Sequence, residues 1–288
     1  MSVQDLARSL AAAGSIKLSG DEGEGIYVLS VRDGDLVEKH WVGDTVEDEN
    51  VIASGVRNDT SASYLPSSEQ MPRLVIFIDQ ENSVRCYAYD EDMEEWEETP
   101  LGDKWNITAS PKSKLSAIIG PEGDMVVSYQ DETDQLSVVM GAGDGWTFFG
   151  PLECNPMVGT PQCLEIINDE LHLFYVEEGF GIGDLIFNSS TSSWQVTNIL
   201  KNTNFSTAID NFSVAEDLET GSLQSYFLTG GSLWNISGEK EKTFLGEVND
   251  DGKLIPSGRA QAGWRVKWKG ARKLEHMFTG FVTIGLPV

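Results

Sequence analysis

Three histidines, three cysteines and one basic strand hold most of the side chains in this 288-residue chain that have chemistry to offer. His40, His172 and His276 lie far apart, and no HExxH, CxxC or EF-hand pattern gathers them with other ligands. Cys86, Cys154 and Cys163 are odd in number and widely spaced, which argues against a disulfide framework and for a reducing compartment. Each thiol reads as a small buried hydrophobe. The acidic runs 90–98 and 131–134 lack the glycine and terminal glutamate of a calcium loop and read as solvated hairpin tips. No Gly-x-Ser-x-Gly, P-loop or dinucleotide fingerprint occurs. The exception to this reserve is Trp264-Arg-Val-Lys-Trp-Lys-Gly, which places three cations in one strand. Alternation puts Arg265 and Lys267 on one face and Trp264, Val266 and Trp268 on the other. The cationic face can pair with surface carboxylates or aim N–H donors at an electron-rich oxygen.

Those residues sit in an acidic chain. Twenty Lys and Arg stand against 46 Asp and Glu, a formal charge of −26. Such a surface repels phosphate backbones and anionic lipid, so nucleic-acid and membrane partners are not expected. No run of about 18 apolar residues is present, and no basic segment precedes the short apolar run near the N-terminus, so a cytoplasmic protein is expected. Six Asn-x-Ser/Thr sequons then read as chance in a chain rich in those residues.

The elements that position these side chains repeat. An apolar strand, a short acidic or Gly-bearing turn, a second apolar strand and a bulky aromatic recur along the chain. The paired strands begin at Tyr27 and Leu36, Val75 and Val84, Val126 and Leu136, His172 and Leu185, Gln224 and Leu233, and Arg265 and Leu274. Anchors at 30, 78, 129, 175, 227 and 268 are spaced by 48, 51, 46, 52 and 41 residues. In copies two to five Trp96, Trp146, Trp194 or Phe244 follows the anchor by 17 to 19 residues, whereas copy one has Trp41 at 11. Another short run precedes the anchors of the first five copies, beginning at Leu10, Ser63, Leu115, Cys163 and Phe212, and reads as the innermost strand of each blade. Residues 3–13 fit either a helix or the first of these inner strands. The period and strand lengths predict an all-β fold, a six-bladed β-propeller formed as one domain over residues 1–288, with six repeats of about 48 residues.

The pattern resembles the fungal fucose-specific lectins, which are six-bladed propellers. Ser9-Leu-Ala-Ala and Lys114-Leu-Ser-Ala-Ile look like that family's inner strand, Met125-Val-Val-Ser-Tyr-Gln and Trp264-Arg-Val-Lys-Trp like its second, and Trp146-Thr-Phe-Phe-Gly-Pro-Leu like its outer strand. The resemblance implies sugar sites between blades, built from an Arg, a Glu and aromatic faces. In this chain the Arg place holds Tyr27, Val75, Val126, His172, Gln224 and Arg265. The Glu place holds Glu38, Cys86, Val138, Phe187, Asn235 and His276. Arg265 and Glu38 alone keep the type, in different repeats, and an unmet buried partner costs about 1–3 kcal/mol. Multivalent fucose binding is therefore not expected.

A group that resembles the lectins in fold and lacks their sugar sites comprises the fungal hetero-Diels–Alderases of tropolonic sesquiterpenoid biosynthesis. This chain looks like them in length and in its eroded Arg and Glu places. The likeness implies a cofactor-independent cycloaddition in secondary metabolism. A polyketide-derived, tropolone-type quinone methide would join an apolar terpene such as humulene. Such a reaction needs a shaped apolar pocket and a donor on a carbonyl oxygen, with no metal, nucleophile or cofactor. Under it Arg265 is the expected donor, with His172 and Tyr27 as further catalytic candidates in equivalent places. Trp264, Trp268, His276 and Glu38 are the expected substrate-binding residues. The alternatives are a lectin with degenerate sites and a protein-binding scaffold. The oligomeric state stays open, a homodimer among the options.

Overall fold

The computed structural model describes residues 2–17, 25–67, 71–142, 145–200, 203–216, 222–237, 242–249 and 251–257. The expected sixth copy, with Arg265 and His276, lies outside them. A helix, α1 (Val3–Ala11), opens the chain. The first sheet follows as β1 (Gly14–Ile16), β2 (Ile26–Arg32), β3 (Asp35–Val42) and β4 (Thr45–Ser54). The second is β5 (Ala62–Leu65), β6 (Leu74–Ile78), β7 (Val84–Asp90) and β8 (Glu95–Glu98), after which comes a short helix, α2 (Leu101–Trp105). The third is β9 (Leu115–Ile119), β10 (Met125–Gln130), β11 (Leu136–Ala142) and β12 (Gly145–Phe149). The fourth is β13 (Gln162–Ile167), β14 (Glu170–Val176), β15 (Ile182–Asn188) and β16 (Ser193–Thr197). The fifth is β17 (Asn211–Glu216), β18 (Leu223–Thr229), β19 (Ser232–Ser237), β20 (Thr243–Val248) and β21 (Leu254–Pro256).

Each sheet is an antiparallel meander in chain order, and each inner strand contacts the next sheet's inner strand. This is an all-β propeller. Five of the six expected sheets fall within the described residues. The second strands are buried on both faces, as their uniform apolar runs require: every residue of β6 is buried. Separate apolar clusters fill the spaces between successive sheets. The β2–β3 turn is Asp33-Gly34, both at positive φ, the conformation that matches the twist of a two-residue hairpin.

Two polar devices hold the inner ring together. Hydroxyls of Thr60, Ser113 and Thr160, each just ahead of an inner strand, accept from the backbone N–H of Ile78, Gln130 and Val176 at 3.0, 2.8 and 2.7 Å. Ser63 and Ser116 accept across sheets from the N–H groups of Ala117 and Leu164 at 2.8 and 3.0 Å.

The start of the chain departs from expectation. Residues 10–13 do not form the first inner strand, which is β1. Ser2 and Asp5 form a reciprocal capping box, and Leu6, Ala7 and Leu10 line one face of the helix, a periodicity no strand can use. That face packs on Tyr226, Leu228, Leu233 and Leu245 of the fifth sheet, opposite the face that meets the fourth. Arg8 then reaches the first sheet. It donates to the Gly43 carbonyl at 2.6 Å and to Asp44 at 3.0 Å, and lies 4.1 Å over the Trp41 ring. The helix thus bridges the fifth and first sheets. No helix among the described residues is long and apolar enough to cross a membrane.

Candidate functional site between the first and second sheets

The β2–β3 ladder sets Leu29 opposite Glu38 and Tyr27 opposite His40. Tyr27 and His40 stack with centroids 4.4 Å apart and planes 7° from parallel. Across the interface, β5 supplies Tyr64, whose hydroxyl donates to Glu38 Oε1 at 2.5 Å. The β5–β6 pairing closes at Leu65 and Leu74, so Arg73 stands at the mouth of the second strand. Strand β7 runs past that point, and the Tyr89 N–H donates to the Arg73 carbonyl at 3.0 Å. The Arg73 guanidinium therefore lies over Tyr89 at 4.0 Å, with Trp96 at 5.6 Å and Tyr27 at 5.8 Å. Trp96 meets Tyr64 and Tyr89 edge-on.

Glu38 is 3% exposed. Burial raises its pKa above the ordinary carboxylate value, helped by the nearby Asp48 and opposed by the Tyr64 hydrogen bond, Arg73 and His40. Burial also raises the Tyr64 phenol, reinforced by Glu38. Arg73 is half-buried and, among the described residues, meets ring faces and the field of Glu38 rather than a hydrogen-bonded carboxylate. Its N–H donors thus remain available beside a buried acceptor, in an aromatic surround that is itself partly open. Hydroxyl groups satisfy such a pair, and an apolar ring face fits the aromatic edges.

Of the residues singled out in the sequence, the structure brings Tyr27 and Glu38 together here. His172 lies elsewhere, 3% exposed within the fourth sheet. Its Nδ1 is 3.1 Å from Asp184 Oδ1, and its ring stacks on Phe174. Arg265, Trp264, Trp268 and His276 lie outside the described residues. The Arg place of Glu38's own repeat holds Tyr27, as the repeat alignment has it, yet Glu38 has Arg73 from the next. Arg73 was missed because it stands two residues ahead of Val75, the position that alignment assigned. The signal available was a lone cation directly ahead of an apolar second strand.

Among the described residues no group of His, Cys, Asp and Glu is arranged to hold a metal. Burial pushes the thiols of Cys86 and Cys163 up to about 12 and that of Cys154 up to about 11, which removes their nucleophilic form.

No protein-family model and no curated protein matches this sequence. Solved structures do. AofleA from Arthrobotrys oligospora superposes with a TM-score of 0.64 at 15% identity, over 86% of this chain and 79% of that one. The Aleuria aurantia lectin, described as a six-bladed propeller with a fucose recognition mode, gives 0.61 at 19% identity, over 84% and 80%. This chain has the fold of the fucose-lectin propellers. A Burkholderia pseudomallei lectin gives 0.56 at 12% identity, over 87% and 71%. The likeness is one of fold.

Proposed function

We propose that this lectin-fold propeller binds a saccharide in one cleft, between its first and second sheets. The observation that carries the reading is Arg73, a half-buried cation with available N–H donors, facing the buried Glu38 among Tyr27, Tyr64, Tyr89 and Trp96. Arginine and carboxylate take the hydroxyls of a sugar, and the rings take its apolar face. Solved lectins of the same fold are described with fucose and fucosides, so fucosides are the first ligands to try. The chain offers no second Arg–Glu combination among the described residues that matches this one, so one sugar per chain is expected. Isothermal titration with methyl α-L-fucoside, followed by a glycan panel, tests this. Saturable binding weakened at least about tenfold by Arg73→Ala supports it. Silence across the panel refutes it.

A second reading draws on the same donors. In a cofactor-independent hetero-Diels–Alder cycloaddition, Arg73 would hold the carbonyl oxygen of a tropolone-type quinone methide, and the rings would hold it against a humulene-like triene. Positioning of two reactants is worth about 7–11 kcal/mol, and a donor on the oxygen adds to it where charge grows. In this reading Arg73 takes the role that the sequence gave to Arg265. Product formation from the two reactants above the uncatalysed rate, lost in Arg73→Ala, supports it. An uncatalysed rate with protein present refutes it.

A further inference from the structure

A second cleft lies between the third and fourth sheets. It has a volume of about 450 Å³, within the range of small-molecule sites. Its floor is apolar and includes Val126, Met140 and the half-buried ring of Phe187. Its rim carries Glu122, Asp124 and Glu170, and none of the described residues lining it is Lys, Arg or His.

The register of the repeat shows what this position accepts. Val126 faces Met140 across the β10–β11 ladder, as Tyr27 faces His40 across β2–β3. Asp169 directly precedes β14, as Arg73 directly precedes β6. At the first position an internal guanidinium rests on aromatic rings. At the third position the stacked pair is replaced by two aliphatic side chains, the cation by a carboxylate, and the space stands open above Phe187.

We propose that this cleft is a separate binding site for a cation carried on an apolar body, such as an alkylammonium. The alkyl part covers Val126, Met140 and Phe187. The charged head takes the place that Arg73 fills in the first cleft, against the rim carboxylates and the ring face. A neutral or anionic ligand of the same size gains the floor and loses or opposes the rim.

The test is calorimetric titration of the intact protein with hexyltrimethylammonium, against hexanol and hexanesulfonate. The expected result is one cation per chain, with affinity falling about tenfold or more between about 20 mM and about 500 mM salt. Asp124→Asn combined with Glu170→Gln, both close to isosteric, lowers the affinity by about tenfold or more and leaves circular dichroism unchanged. Met140→Lys supplies an internal cation and abolishes binding. Glu94→Gln with Glu95→Gln, on the exposed β7–β8 hairpin, leaves binding intact. Equal affinity for hexanol, the same loss in the hairpin variant, indifference to the rim variant or absence of saturable binding each overturns the proposal.

Discussion

A carboxylate that a chain buries in one sheet must be answered, and here the answer comes from the next sheet. Tyr64 satisfies one oxygen of Glu38 and Arg73 supplies the opposing field. Replacing Arg73 by alanine is expected to cost about 1.5–3 kcal/mol of saccharide affinity, read by titration, with little change in thermal stability because the guanidinium is only half-buried. Glu38 gives a pH signature. Its folded-state pKa lies above the ordinary 4.5, so the folded chain binds the proton more tightly than the unfolded chain. Unfolding free energy therefore falls as pH rises from 4.5 through the raised value. Glu38→Gln, which still accepts from Tyr64, should flatten that fall. Urea titrations of both proteins at pH 4.5 and pH 7.5 measure it, and parallel curves contradict it. Tyr27 and Glu38 were legible in the sequence because they occupy repeat positions. Arg73 was not, because contact across an interface between repeats leaves no spacing to read.

The strands were legible as elements because short apolar runs of four or five residues bounded by turn residues have few other structures open to them. The second and third strands of all five described copies fall where the runs placed them. The first inner strand did not, since 3–13 fits both periods until the Ser2–Asp5 cap is recognised as a helix start. The pairing of His172 with Asp184 was also hidden, because the two come together only through the β14–β15 register. That pair lies inside the fourth sheet with both side chains nearly inaccessible. His172→Ala is expected to destabilise the protein by about 1–3 kcal/mol by leaving Asp184 Oδ1 unmet while Thr197 still donates to Oδ2, measured by the urea midpoint. Gly14 tests the inner ring. A Cβ there would stand 1.9 Å from the Ala62 carbonyl, so Gly14→Ala should force β1 from β5 and cost about 1–3 kcal/mol by the same measurement.

At the scale of the molecule, α1 does for the fifth sheet what a neighbouring sheet does for the others. Leu6 is fully buried in that contact, and Leu6→Ala should cost about 2–5 kcal/mol in denaturant titration. The repeat arithmetic reached the propeller and placed the five described sheets; its sixth copy lies outside the described residues. The inequality of the copies has a functional consequence. Among the described residues the clefts between sheets are lined differently, so the proposed function expects one saccharide per chain and no avidity from repetition. Titration of the intact protein with methyl α-L-fucoside, in parallel with Arg73→Ala, tests this most directly. One site per chain that the substitution weakens at least about tenfold is the expected result. Several equal sites, a single site indifferent to Arg73, or no binding at all would contradict it.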